Sequence, residues 1–196
     1  LRMISDTVLF LRSKGRRVFY DAEHFFDGLK NNTDYAMKTI EAAIDAGAEV
    51  VVLCDTNGGS MPWEVEDIVR RVVNSTSVPV GIHAHNDCEM AVSNTLAAVQ
   101  AGAIQVQGTV NGYGERTGNA NLCSIIPNLK LKMGIECIND RQLTLMTDLS
   151  KVVTGLAKLS PSFFQAFSKL FPMSMKFLNS LPSTFGFVQR FPSGGL

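Results

Sequence analysis

Four short strand-like runs, each preceded by a helical stretch and each ending in polar residues, restrict the possible folds of this chain more than anything else in it. Val50-Val51-Val52-Leu53-Cys54 is the plainest of them. A strand with one wet face alternates apolar and polar residues, whereas an unbroken apolar run suits a strand buried on both faces. Val18–Glu23, Val78–Ile82 and Ile104–Val110 read as three more strands. Leu1 to Gly15 reads as the end of a helix stopped by glycine. Residues 33–46 read as a helix that Thr33 can cap, with Ala36, Ile40, Ala43 and Ile44 at helical spacing and Gly47 as its stop. Pro62 with residues 63–73, and then residues 88–101, read as two more helices.

The pattern also echoes itself. Ala42-Ala43 with Ala46-Gly47-Ala48 recurs as Ala97-Ala98 with Ala101-Gly102-Ala103, and each copy leads through a strand to an Asn-Gly pair, Asn57-Gly58 or Asn111-Gly112. Strands and helices that alternate at this length imply parallel strands joined by right-handed crossovers. A doubly wound sheet and a (β/α)₈ barrel both satisfy that grammar. A closed barrel needs eight strands in roughly 250 residues, so four strands make either a small open sheet or half of something larger.

Composition narrows the function classes. The chain has 196 residues, 45% of them apolar, enough for one domain with a real core. Lys plus Arg and Asp plus Glu both number 18, so no charge excess points to nucleic acid or a membrane surface. Cys54, Cys88, Cys123 and Cys137 form no C-x-x-C pair, which suits reduced thiols and a cytoplasmic location. Neither a secretory signal nor a bilayer-length apolar run is present. The first residue is Leu1 rather than Met, so an organellar targeting peptide could lie out of view. Eight of the twelve phenylalanines fall between Phe163 and Phe191, and no Asp or Glu follows Asp148. A helix is expected from about Asp140 to Leu159, followed by a tail without clean periodicity.

The strand ends carry the chemistry. His83-Ala84-His85-Asn86-Asp87 follows Val78–Ile82 directly, so both imidazoles project to one face at the carboxyl end of a strand, where parallel α/β folds place their sites. Two such histidines make half of a divalent-metal site, or they hydrogen-bond backbone. Asn111 to Leu122 is a loop with three glycines that can wrap a ligand closely. Within it Asn119 is either an N-cap for the next helix or a neutral oxygen ligand reaching toward a metal. Asp21 and Glu23 are an i, i+2 carboxylate pair that suits general-base work or the holding of catalytic geometry. Thr56, in Asp55-Thr56-Asn57-Gly58, offers a hydroxyl for a substrate carboxylate.

Taken together, four strings look like the last four strand ends of a metal-dependent acyl-transferring barrel family. They are Phe19–Gly28, Leu53–Gly59, His83–Asp87 and Asn111–Leu122. The resemblance is to the citramalate, 2-isopropylmalate and homocitrate synthases, and the Asp21–Gly28 string is most similar to the citramalate-synthase-like branch. It implies an α/β fold, the second half of a (β/α)₈ TIM barrel with four parallel strands, followed by a helical, Phe-rich tail. The implied organisation is a pyruvate-carboxyltransferase-like half-barrel over 1–135, a helical connector over 136–159 and an atypical, poorly ordered tail over 160–196. It further implies Claisen-type condensation of acetyl-CoA with a 2-oxo acid, pyruvate or 2-oxoisovalerate, in branched-chain amino-acid biosynthesis. His83, His85 and Asn119 would hold a divalent cation (Mg²⁺, Mn²⁺ or Zn²⁺), Glu23 would be the catalytic carboxylate, and Thr56 would bind the 2-oxo-acid carboxylate. The expected partners are small-molecule substrates and, in a full-length parent, a second copy; nucleic acid and membrane are not expected. The family's first strand carries an Asp-Arg-Glu string that these 196 residues lack, so the chain by itself is expected to be inactive. The alternatives are a metal-dependent aldolase or lyase on the same barrel, or an inactive half-barrel that pairs with another chain.

Overall fold

The computed structural model describes residues 1–157 and 189–190. Helix α1 (Arg2–Ser13) leads into strand β1 (Phe19–Ala22), and Gly15 takes the left-handed conformation expected of a helix stop. Two helices follow, α2 (Phe25–Asn31) and α3 (Thr33–Asp45), then strand β2 (Val50–Asp55) and helix α4 (Pro62–Ser75). Strand β3 (Val80–Ala84), helix α5 (Ala91–Gln100) and strand β4 (Gln105–Gln107) complete four strand–helix repeats. Helices α6 (Leu122–Pro127), α7 (Asp140–Thr144) and α8 (Met146–Ala157) come after the glycine loop. Strands β1 to β4 pair in chain order and all in parallel, as the alternation of elements demanded. A two-residue strand β5 (Gln189–Arg190) adds antiparallel to β4. The rest of the Phe-rich tail lies outside the described residues.

The continuous run in β2 is buried on both faces. Val51 and Leu53 pack outward with Ile40, Val65, Val69 and Ile82 under the helices, while Val50, Val52 and Cys54 turn to the other face with Phe19. On that second face Gly81 faces Gln105, whose side-chain oxygen occupies the space a Cβ at position 81 would need. Any larger residue there would have to displace the Gln105 side chain. The rest of the wall is apolar, so the polar chemistry collects at the carboxyl ends of the strands.

Several local expectations are corrected. Asn32, not Thr33, caps α3: its side chain accepts from the Tyr35 N–H at 3.0 Å, while the Thr33 hydroxyl bonds back to the Leu29 carbonyl. The helix expected over 88–101 begins only at Ala91, because Cys88 and Glu89 both have positive φ. The strand expected to reach Val110 stops at Gln107, where the backbone turns to meet the glycine loop. The helix expected from Asp140 is broken between Thr144 and Met146.

Helix α2 was not foreseen, and it contributes Phe25 and Phe26 to the core. Phe26 has no exposed surface. Its truncation to alanine should cost about 3–5 kcal/mol of unfolding free energy, the range for emptying a buried aromatic site. Trp63 is 65% exposed, so its truncation should stay within about 0.5 kcal/mol. Urea melts of both variants against the parent chain check the pair.

Candidate active site

The register of the sheet assembles the site. Cys54 pairs with His83 across β2 and β3, and His83 with Gln107 across β3 and β4. Residues in register on parallel strands share a face, so Cys54, His83 and Gln107 stand side by side at the rim. Asp21, on β1, pairs with Val52 on the same face, and its carboxylate reaches within 4.8 Å of the Cys54 and His83 ligand atoms.

His83 and His85 project together, as their spacing required. Their rings stack with centroids 5.3 Å apart and planes 21° from parallel. His85 is nearly buried, and its Nδ1 has no hydrogen-bond partner among the described residues. Burial first, then the neighbouring His83 and Arg116, hold its pKa below the ordinary histidine value, which favours a neutral ring with a free lone pair. Asn119 is not a helix cap. That role falls to Asn121, whose side chain accepts from the Cys123 N–H. The backbone around Asn119 instead bridges antiparallel to His85, and its Oδ1 sits 3.1 Å from His83 Nε2.

That contact is chemically informative. The Asn119 amide nitrogen donates to the Tyr113 carbonyl, so its oxygen must be the atom facing His83. The other ring nitrogen, Nδ1, lies 2.7 Å from Gln107 Oε1, an oxygen that only accepts. A neutral ring that donates there turns a bare lone pair from Nε2 onto the Asn119 oxygen. Two acceptors facing each other at 3.1 Å repel unless the ring takes a second proton or a cation lies between them. The separation also suits two neighbouring ligands about 2.1 Å from one octahedral ion. The residues present therefore fit a divalent cation held by His83, Asn119 and His85.

A second ligand combination is geometrically open, since ligand atoms of Asp21, Cys54 and His83 all lie within 4.8 Å of one another. Burial pushes the Cys54 thiol pKa far up in the chain without metal, with the Glu23 and Asp21 carboxylates adding to the shift.

Glu23 and Thr56 come together beside the histidines. The Thr56 hydroxyl donates to Glu23 Oε2 at 2.7 Å and accepts from the His24 N–H at 2.8 Å. In this arrangement its single proton is committed to Glu23. Asn111 is turned away from the rim. Its amide donates to the Ser150 carbonyl and the Thr154 hydroxyl and accepts from the Ser150 hydroxyl, tying α8 to the glycine loop.

Sequence reasoning passed over three features of this site. Gln107 is one. Arg116 is another: it grips the Asp87 carboxylate through Nε and Nη2, at 2.8 and 2.6 Å, and donates to the Thr56 carbonyl. This pairing holds the Asp87 pKa down at about 2. The third is buried beneath the rim, where Asp55 accepts from Gly59, Ser60 and Asn94 and fixes the loop that carries Thr56. Asp55 and Asp87 both stood in quoted strings, but nothing in one sequence showed what they would grip.

Residues 1–153 match the family described as HMGL-like. The chain belongs to that family. It is 59% identical over 167 residues to the (R)-citramalate synthase of Geobacter sulfurreducens, covering 85% of this chain and 32% of that protein. It is 40% identical over 151 residues to the probable 2-isopropylmalate synthase of Methanopyrus kandleri, covering 77% and 29%. The chain thus spans about a third of the length of the curated relatives it matches. Among solved structures it resembles the HMG-CoA lyase of Acinetobacter baumannii in complex with coenzyme A and 3-methylmalate. That likeness has 25% identity and a TM-score of 0.60 over 72% of this chain and 49% of the lyase. The HMG-CoA lyase of Bacillus subtilis aligns over 47% of its chain with a TM-score of 0.59. Four parallel strand–helix repeats matching about half of such chains are a partial barrel of this HMGL-like type.

The Arg116 clamp generates a prediction about this loop. Asp87→Asn removes the charge that Arg116 grips and should speed amide hydrogen exchange across residues 112–119 several-fold, leaving α4 and α5 unchanged. Exchange read by mass spectrometry on the two proteins checks it.

Proposed function

We propose that this HMGL-like chain carries the metal-binding and acid–base part of an enzyme that condenses acetyl-CoA with a 2-oxo acid, with pyruvate as the acceptor and citramalate as the product. The observation that carries the reading is the rim itself. The facing acceptors His83 Nε2 and Asn119 Oδ1 stand in the same rim as a carboxylate, Glu23, that is oriented by Thr56. A divalent cation bound by His83, His85 and Asn119 would polarise the ketone of the 2-oxo acid. Glu23 is the group suited to hold or move a proton at its Oε2. Thr56 would turn its hydroxyl from Glu23 to the carboxylate of the 2-oxo acid. The glycine loop, pinned by Arg116, would shield the reacting atoms from water.

The choice of synthase over lyase is supported by identities of 48–59% to (R)-citramalate synthases. Within the same proposal the whole enzyme is a cytoplasmic homodimer. Among the described residues no helix is long and apolar enough to cross a membrane.

The test is CoA release from acetyl-CoA and pyruvate with Mg²⁺, Mn²⁺ or Zn²⁺, by residues 1–196 alone and with the complementary barrel half of a citramalate synthase added. Alone, the chain should be inactive; turnover in the ordinary enzyme range of about 1–1,000 per second would sink that expectation. With the second half added, activity should appear, and Glu23→Gln should lower it by about 10²–10⁴-fold, the usual worth of a general acid–base group. Cleavage of a 3-hydroxyacyl-CoA by the assembled halves, without condensation, would turn the assignment to the lyase.

A further inference from the structure

Gln107 stands on β4 directly beside His83, with its side-chain oxygen facing Nδ1 of the ring. Its carboxamide makes two bonds, and each fixes the other. The nitrogen donates to Asp21 Oδ1 at 2.9 Å, and the oxygen lies 2.7 Å from His83 Nδ1. A carboxylate oxygen that accepts from the Gln107 nitrogen decides which way the amide points. With its NH₂ turned to Asp21, the amide offers His83 only an oxygen. The ring must donate from Nδ1, and a ring that carries a single proton then leaves Nε2 bare.

We propose that Asp21 and Gln107 are positioning residues: the carboxylate orients the carboxamide, the carboxamide holds His83 in the Nδ1–H tautomer, and Nε2 is left bare toward Asn119 Oδ1. Imidazoles that bind metals ordinarily donate their second nitrogen to a carboxylate or carbonyl, and loss of that partner weakens the metal by about 10–100-fold. Here the carboxylate acts at one remove, through an amide that passes on orientation but transfers no proton. Three strands supply the parts, β1 the carboxylate, β4 the amide and β3 the imidazole, so the sheet pairing holds the relay in place. The value of the relay to a cation rests on the metal site proposed above; the relay itself is a property of the chain without metal.

The two are tested separately. In ¹⁵N-labelled, metal-free chain, long-range proton–nitrogen spectra read the tautomer of His24, His83 and His85, with His83→Gln identifying the His83 signals. His83 should be the Nδ1–H form. In Gln107→Leu the acceptor at Nδ1 is gone while Asn119 Oδ1 remains at Nε2, so the ring should switch to the Nε2–H form. Gln107→Glu keeps an acceptor at Nδ1 and should restore the Nδ1–H form, a pattern that a merely structural glutamine would not produce. Mn²⁺ titration followed by electron paramagnetic resonance should then show affinity about 10–100-fold weaker in Gln107→Leu than in the parent. A parent ring found as Nε2–H, or protonated on both nitrogens, overturns the relay whether or not the leucine variant folds. So does a folded Gln107→Leu protein that keeps the parent tautomer. A parent ring in the Nδ1–H form in a chain that binds no Mn²⁺ supports the relay and overturns the metal site instead.

Discussion

The parallel pairing that sets Cys54 against His83 and His83 against Gln107 is the constraint on which the rest of the molecule depends. A slip of one residue in either pair would turn His83 to the helix side, where Ile82 now packs, and exchange an imidazole for an aliphatic chain in the core. The apolar face of β2 and its neighbours forbids that slip, because Val51, Leu53 and Ile82 are all fully buried under the helices. The geometry of the polar rim is thus held by hydrophobic burial beneath it. No polar contact at the rim has to set the register for itself.

How much of this was legible in the sequence depends on how local the cause was. Strand β2 could be read because five apolar residues in a row have few alternatives, and Gly15 and Gly47 marked where α1 and α3 had to stop. The shared face of His83 and His85 followed from strand geometry alone. The delayed start of α5 could not be read, because nothing in Cys88 or Glu89 announces a positive φ. Asn119 was legible only as two alternatives. Choosing between cap and ligand needed the bridge to His85, a contact across 34 residues that one sequence does not display. Gln107 was missed for a similar reason, although a polar residue inside an otherwise buried strand was the available signal.

The buried polar groups behind the rim show the same division of labour. Asp55 is almost wholly buried, and burial raises its pKa against the bonds from Ser60 and Gly59 that lower it. A carboxylate in such a place is expensive unless its oxygens are occupied. Here they hold the turn after β2 by side-chain and backbone donors at 3.2–3.4 Å. Asp55 therefore supports the turn, and the neighbouring Thr56 is the residue that reaches the site. Asn111 does the same for the far side of the loop by anchoring α8.

The contacts at the rim form a chain that leaves no strand end independent. Glu23 after β1 holds the Thr56 hydroxyl after β2; the Thr56 carbonyl receives Arg116 after β4; Arg116 grips Asp87 after β3; and Asn119 returns from the loop to His83. This connectivity gives the proposed substrate step a consequence. Thr56 has one hydroxyl proton, and it now donates it as a hydrogen bond to Glu23 Oε2. If a substrate carboxylate takes that proton as a hydrogen bond, Glu23 loses a donor at the moment the acceptor substrate is seated. Seating of the 2-oxo acid and release of Glu23 Oε2 would then be one event, arising from a hydroxyl that cannot serve two acceptors at once.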